Sequence, residues 1–239
     1  MDLLEAIKIR KSTRKYKEED VSLELQDKIL AFCENTKKLY SDILTKCVIL
    51  SKKDIKCILP FVTNQTIVLY SEEKEGYLEN AGFIMQQVDL YLKTLGLGSC
   101  WLGMGKTKEE LSNYDNLKYV IMLTFGYPDG ELARSESEFK RMSLNEISDI
   151  IDDRLEVARL APSSVNSQPW YFTHVDDIIH VYRMSRGLIK IDRLEKMNQI
   201  DIGIALCHLY VAYPNTFTFE YVYNTESLKN GTYVGSVRI

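Results

Sequence analysis

The sequence is poor in the side chains that build metal and disulfide sites. Its 239 residues include five cysteines and three histidines. Cys33, Cys47, Cys57, Cys100 and Cys207 are odd in number, scattered, and never spaced C-x-x-C. That disfavours a disulfide framework and fits reduced thiols packed as small hydrophobes. His174, His180 and His208 do not cluster with cysteines or carboxylates at ligand spacing, so no metal site is expected. His208 lies in an apolar helical pattern and reads as a packed histidine rather than a base. No apolar run approaches the about 18–20 residues that span a bilayer, so no membrane partner is expected. The start, Met1-Asp2-Leu3-Leu4-Glu5, carries acids where a secretory leader carries positive charge, which gives the expectation of a cytoplasmic protein. There is no surplus of cations: 30 Lys and Arg against 34 Asp and Glu leave a net charge of −4. That argues against a basic surface covering the molecule, so nucleic acid is not the expected partner, while leaving room for a local basic site. No linker rich in proline, glycine or serine divides the chain; the one shift in composition is the polar stretch 129–137.

What is present is an ordinary globular balance, 45% hydrophobic and 27% charged, in a length that is long for one average domain and short for two. Apolar spacing predicts a short helix over 3–10 and a second over about 23–39 with Ser22 as its N-cap. Strands are predicted at 46–50 and 66–70. A long helix over 76–95 follows, with Leu78, Gly82, Met85, Val88 and Leu92 on one face, stopped by Gly96-Leu97-Gly98. A short helix near 107–113 and a strand over 119–125 complete the first half. The second half repeats the order. Ser143-Leu144-Asn145-Glu146 forms a capping box that opens a helix to about 160. Strands at 170–175 and 178–182, a long helix over 194–213, and strands at 216–223 and 230–238 follow. The two long helices superpose with Gly82 on Gly203, where small residues would let helices cross closely.

Three segments stand out chemically. Arg10-Lys11-Ser12-Thr13-Arg14-Lys15 gathers cations and a hydroxyl at a helix end, as a phosphorylated ligand requires, although cations there also complement the helix dipole. Ala161-Pro162-Ser163-Ser164-Val165-Asn166-Ser167-Gln168-Pro169-Trp170 packs serines and amides into a compressed loop that could read the edge of a heterocycle. Gly96 to Gly105 holds four glycines in ten residues and permits backbone N–H groups to approach a ligand. It follows a helix rather than a strand, so it is not the dinucleotide fingerprint.

Together these segments resemble the nitroreductase family of FMN-dependent oxidoreductases. Arg10–Arg14 is similar to its R-x-S-x-R/K element, and Ala161–Trp170 to its A-P-S-S-x-N-x-Q-P-W segment. Gly96–Gly103 and Gly126-Tyr127-Pro128 are similar to G-L-G-x-x-W-[IL]-G and G-Y-P, and Arg141 to the basic residue that follows. The order departs from the family: there the A-P-S-S segment precedes the G-L-G helix, whereas here it follows G-Y-P. Ordinary members are homodimers with each flavin across the interface. The departure therefore implies a fused pseudo-dimer, with residues 1–141 as one half-repeat, 142–239 as the other, and one FMN site between them. The implied fold is α+β, nitroreductase-like: two interlocked α-β-β-α-β half-repeats with mainly antiparallel sheets flanked by helices, monomeric because the dimer lies within one chain.

The resemblance further implies that Arg10, Ser12 and Arg141 bind the FMN phosphate, with Lys11 and Arg14 near the phosphate or the pyrimidine edge. Pro162, Ser163, Ser164 and Asn166 would cover the isoalloxazine, and the backbone at Leu102-Gly103 would approach N5. No side-chain acid or base is required, because NADH or NADPH would reduce the flavin and a nitroaromatic, quinone or similar small-molecule acceptor would reoxidise it. A different flavin reaction on the same fold, or a non-catalytic flavin carrier or sensor, remains the alternative.

Overall fold

The computed structural model describes residues 1–185, 192–222 and 225–239. Their helices are α1 (Leu3–Ile9), α2 (Leu23–Glu34), α3 (Tyr77–Thr94), α4 (Leu144–Ile147), α5 (Glu156–Arg159) and α6 (Asp192–Ala212). Their strands are β1 (Thr45–Leu50), β2 (Ile55–Lys56), β3 (Gln65–Ser71), β4 (Gly98–Trp101), β5 (Lys106–Thr107), β6 (Asn113–Tyr114), β7 (Leu117–Gly126), β8 (Trp170–Val175), β9 (Ile178–Met184), β10 (Thr218–Glu220) and β11 (Gly231–Arg238). The α+β expectation holds. Two antiparallel sheets dominate, one ordered β1-β3-β7-β4 with β6 beside β7, the other β8-β9-β11-β10. Each sheet pairs the two long strands that precede the long helix of its half, then the last strand, then the short strand that follows the long helix. Each also carries one register shift, at Leu69/Tyr70 against β7 and at Tyr233/Gly235 against β9.

Helices α3 and α6 cross between the sheets. A Cβ added to Gly82 would collide with the carbonyl oxygen of Ile200, and one added to Gly203 with that of Glu79. Each glycine therefore receives the backbone of the residue three positions before the other glycine, a reciprocal contact only glycine admits. The close crossing expected at these two positions is present. One core cluster holds Phe83, Ile84 and Val88 of α3 together with Ile202 and Leu206 of α6 and Trp170 of β8, so the halves share their interior. The predicted stop of α3 is a Schellman turn: Gly96 has φ +75°, its N–H bonds Lys93 O (3.1 Å), and Leu97 N–H bonds Leu92 O (3.0 Å).

Several predicted elements differ. Helix α2 ends at Glu34 rather than 39. Asn35 Nδ2 caps Ala31 O (2.7 Å), and the chain beyond is drawn onto α3, where Asn80 Oδ1 accepts from Leu39 N–H (2.9 Å) and Gln87 Nε2 donates to Lys37 O (2.8 Å). The helix expected near 107–113 is a single 3₁₀ turn, Glu109–Leu111, because β5 pairs with β2 and β6 folds back on β7. The capping box at Ser143 forms, but the helix it opens stops at Ile147. Ser148 is extended and bridges Phe172, and Asp149 accepts from His174 N–H (3.0 Å). Asp152 then recaps at Arg154 N–H (2.9 Å), so strand β8 captures what periodicity reads as continuous helix. The strand expected over 216–223 covers 218–220, and Tyr223 lies outside the described residues. Cys33, Cys47, Cys100 and Cys207 are buried free thiols, and Cys57 is half-buried and free. His208 is fully packed: Nδ1 lies 2.7 Å from Val157 O and Nε2 3.1 Å from Gln86, and burial lowers its pKa to about 3. No described helix is long and apolar enough to cross a membrane.

Candidate functional site

The N-terminal basic segment leaves α1 in extended form and is held on both sides. Ser12 bridges Ser99 of β4, with Thr13 N–H on Ser99 O (2.8 Å); Arg10 bridges Ala133, with Arg134 N–H on Ile9 O (3.0 Å). Two long-range tethers thus fix the segment, and the second brings Arg134 beside Arg10. The Arg10 guanidinium is buried against Asp89 of α3 (Nε to Oδ2 2.8 Å) and reaches Ser12 Oγ (3.2 Å). Asp89 is held in turn by the Ser99 hydroxyl.

Pro162 ends the short helix α5, and the loop after it is strained. Val165, Asn166 and Gln168 all have positive φ (+48°, +58° and +46°), which a β-branched valine rarely tolerates. Side chains over-determine the loop: Gln168 N–H donates to Ser163 Oγ (2.9 Å), and Gln168 Oε1 accepts from Met142 N–H (2.9 Å). Asn166 Oδ1 accepts from Arg141 (2.7 Å), while its Nδ2 donates to Lys140 O (2.9 Å). From below, the Asp201 carboxyl of α6 accepts Ser164 N–H (3.0 and 3.1 Å).

Segment and loop face each other across two adjoining cavities that share Ser12, Arg14, Pro162, Ser163 and Val165. One, about 480 Å³, is cationic, with Arg10, Lys11, Arg14, Arg134 and Arg141 on its wall against the carboxylate of Glu138. The other, about 490 Å³, is largely apolar, walled by Trp101, Gly103, Met104, Ile121, Met197 and Ile204. Positive charge is in excess at the first. Arg141 Nε and Arg134 Nε and Nη2 are buried without a partner among the described residues, as is Nζ of Lys93, one turn beyond Asp89 on α3. Burial and then mutual repulsion lower their pKa values, Arg134 and Arg141 to about 10 and Lys93 to about 8. Cations that cost this much to bury together call for an anion. Trp101, on the wall of the apolar chamber, has a buried indole N–H that also lacks a partner among the described residues.

The structure thus brings ten of the eleven sequence-derived residues to one groove. The exception is Leu102: its side chain is fully buried and its N–H is spent on Met122 O (3.0 Å), so only Gly103 of that pair reaches the wall. Asn166 sits at the cationic cavity, bound to Arg141, rather than in the apolar chamber where it would meet a ring. Sequence reasoning missed Asp89, Lys93 and Arg134. The first two lie on the polar face of α3, which periodicity assigns to solvent, yet both are buried. A signal existed: α3 ends in the G-L-G turn that leads into β4, so its last turns must lie beside the Ser12 segment.

The place related to the apolar chamber by the helix crossing is packed with aromatic rings among the described residues. Ile200, Asp201 and Ile204 of α6 line the chamber, and their equivalents around Gly82 are Glu79, Asn80 and Phe83. There Phe83 packs on Tyr210 and Phe217 (centroids 5.5 and 5.9 Å), and Tyr40 meets Phe219 of β10 edge-on (5.8 Å).

A family model described as "Putative TM nitroreductase" matches residues 2–213. The chain belongs to this nitroreductase family, and with it to the oxidoreductases. Among solved structures, one described as a putative nitroreductase from Thermotoga maritima MSB8 is 21% identical, over 99% of this chain and 92% of that one, with TM-score 0.64. A nitroreductase family protein from Clostridium difficile 630 is 19% identical, over 64% of this chain and 99% of that one, with TM-score 0.50. An FMN-dependent nitroreductase from Clostridium difficile R20291 is 24% identical, over 59% and 97%, with TM-score 0.44. The first two share the fold. No curated protein matches the chain.

Proposed function

We propose that the chain is an FMN-dependent NAD(P)H oxidoreductase with one flavin site, formed between residues 1–141 and 142–239 as the two halves of a fused pseudo-dimer. The observation that carries this reading is the groove itself: an excess of half-buried cations at one end, an apolar chamber at the other, and a strained polar loop along the edge. A phosphate dianion would offset the positive charge of the first, and a planar aromatic ring would fill the second. FMN, when bound, supplies the chemistry, taking hydride from NADH or NADPH and giving two electrons to a nitroaromatic, quinone or similar acceptor in a ping-pong cycle.

The chain's own residues bind and orient. Arg10 is held rigid by Asp89, and it presents its fork to the phosphate together with Ser12, Arg134 and Arg141. Lys11 and Lys93 add charge around it. Arg14, shared by both cavities, stands where the polar edge of the ring would lie and favours negative charge there. Pro162, Ser163 and Ser164 wall the chamber from the second half, while Gly103 and Met104 wall it from the first. Asn166 acts through Arg141, fixing the guanidinium from the loop.

The identical strand order of the sheets and the reciprocal Gly82–Gly203 contact support the duplication, and the aromatic filling around Phe83 supports a single flavin. Purified protein should be yellow, and stopped-flow mixing with NADH or NADPH should bleach the flavin band. Protein that binds FMN but is not reduced by either nucleotide would favour the carrier reading, and protein that binds no FMN would end both.

A further inference from the structure

One buried acid is left unused by the proposed reaction. Asp201 is 3% exposed, stands on the wall of the apolar chamber, and is the one carboxyl on that wall among the described residues. Its two oxygens lie 3.0 and 3.1 Å from Ser164 N, and Oδ2 is 3.4 Å from Ser167 Oγ, which also reaches Asn198 Oδ1 (3.4 Å). These contacts join α6 to the loop whose residues Val165, Asn166 and Gln168 are held at positive φ. Strain of that kind persists only where neighbours enforce it.

The other half of the chain supplies an internal comparison. Asp201 lies two residues before the crossing glycine Gly203, and Asn80 lies two residues before Gly82. Asn80 Oδ1 accepts from Leu39 N–H (2.9 Å) and Tyr40 N–H (3.2 Å), so it ties the corresponding loop to the corresponding helix. The same acceptor role is thus filled by a neutral amide at the aromatic-packed place and by a titratable acid at the open one.

We propose that Asp201 is a positioning residue that latches the 163–167 loop across the chamber, and that the latch holds a proton which it loses when the loop opens. The identity of what the loop covers rests on the flavin reading; the latch itself does not. Burial raises the Asp201 pKa to about 8, against the opposing hydrogen bonds from Ser164 and Ser167. Arg14 and Cys100 are the other titratable groups on the chamber wall. Opening the loop would hydrate the carboxyl and return it toward its ordinary value of 3.8. Between these values the closed form binds one more proton than the open form, so closure weakens as pH rises and levels off above about 8.

The test is amide exchange across residues 160–168 in the full chain without added flavin, as protection factors between pH 6 and 9. Wild-type protection should fall by up to about tenfold per pH unit and flatten above about 8. Asp201→Asn, which copies Asn80, should keep the loop protected and remove the slope. Asp201→Ala should lose protection at every pH and weaken FMN at least tenfold, whereas Asp201→Asn should hold FMN within about threefold of wild type. Equal slopes in wild type and Asp201→Asn would overturn the proposal, and so would Asp201→Asn behaving like Asp201→Ala. A chain that binds no FMN would defeat the flavin reading and leave the exchange result to decide the latch.

Discussion

Arg10 and Arg141 both face the cationic cavity, yet they carry different loads. Arg10 is ion-paired with buried Asp89, so Arg10→Ala strands a carboxylate and should cost about 3–5 kcal/mol of stability as well as flavin affinity. Arg141, whose pKa is depressed by burial and then by Arg134 and Arg10, also holds Asn166 and Leu160 O, so Arg141→Ala should weaken FMN by tenfold or more while costing the flavin-stripped protein less stability than Arg10→Ala does. Titration by flavin fluorescence, set beside a melting curve, separates the two. Lys93 sharpens the contrast. Its folded pKa of about 8 lies below the ordinary 10.5, so the folded state binds fewer protons than the unfolded state in that window. Stability of the stripped protein should therefore gain from this group as pH rises from about 8 toward 10.5. Lys93→Met should remove that gain and reduce the stabilisation conferred by added inorganic phosphate. An unaltered phosphate response would remove Lys93 from the anion site.

At the scale of elements, the crossing of α3 and α6 sets the distance between the loop and the N-terminal segment. Gly82→Ala or Gly203→Ala forces a methyl group into a facing backbone carbonyl, which cannot rotate away, and should cost several kcal/mol in denaturant unfolding. Gly96→Ala meets open space and bears only the penalty of φ +75°, about 1 kcal/mol. Equal losses at the two sites would contradict the crossing. Strands and long helices were legible in the sequence because β-branched runs and helical spacing are local signals, as at β3 and α6. The break after Ile147 was not legible, because it comes from Phe172 and His174, more than twenty residues away, capturing Ser148 and Asp149. The same holds at the site. Arg10, Ser12, Arg141 and Ser163 announce themselves by residue type in a pattern. Asp89 and Lys93 occupy the face of α3 that looks solvated until loop, strand and second helix cover every side of it.

At the scale of the whole molecule, the sheets share one strand order and their long helices cross at Gly82 and Gly203, but the two places flanking that crossing differ. One is a groove of charge and apolar wall; the other is packed by Tyr40, Phe83, Phe217 and Phe219. A length between one domain and two is then accounted for, since neither half covers its own long helix: α3 and α6 are buried chiefly against each other. The proposed pseudo-dimer would hold one flavin per chain. Releasing the bound cofactor from purified protein of known concentration, and quantifying it by absorbance and mass, should give FMN at one equivalent per polypeptide after saturation; two equivalents, or none, would rule the single shared site out.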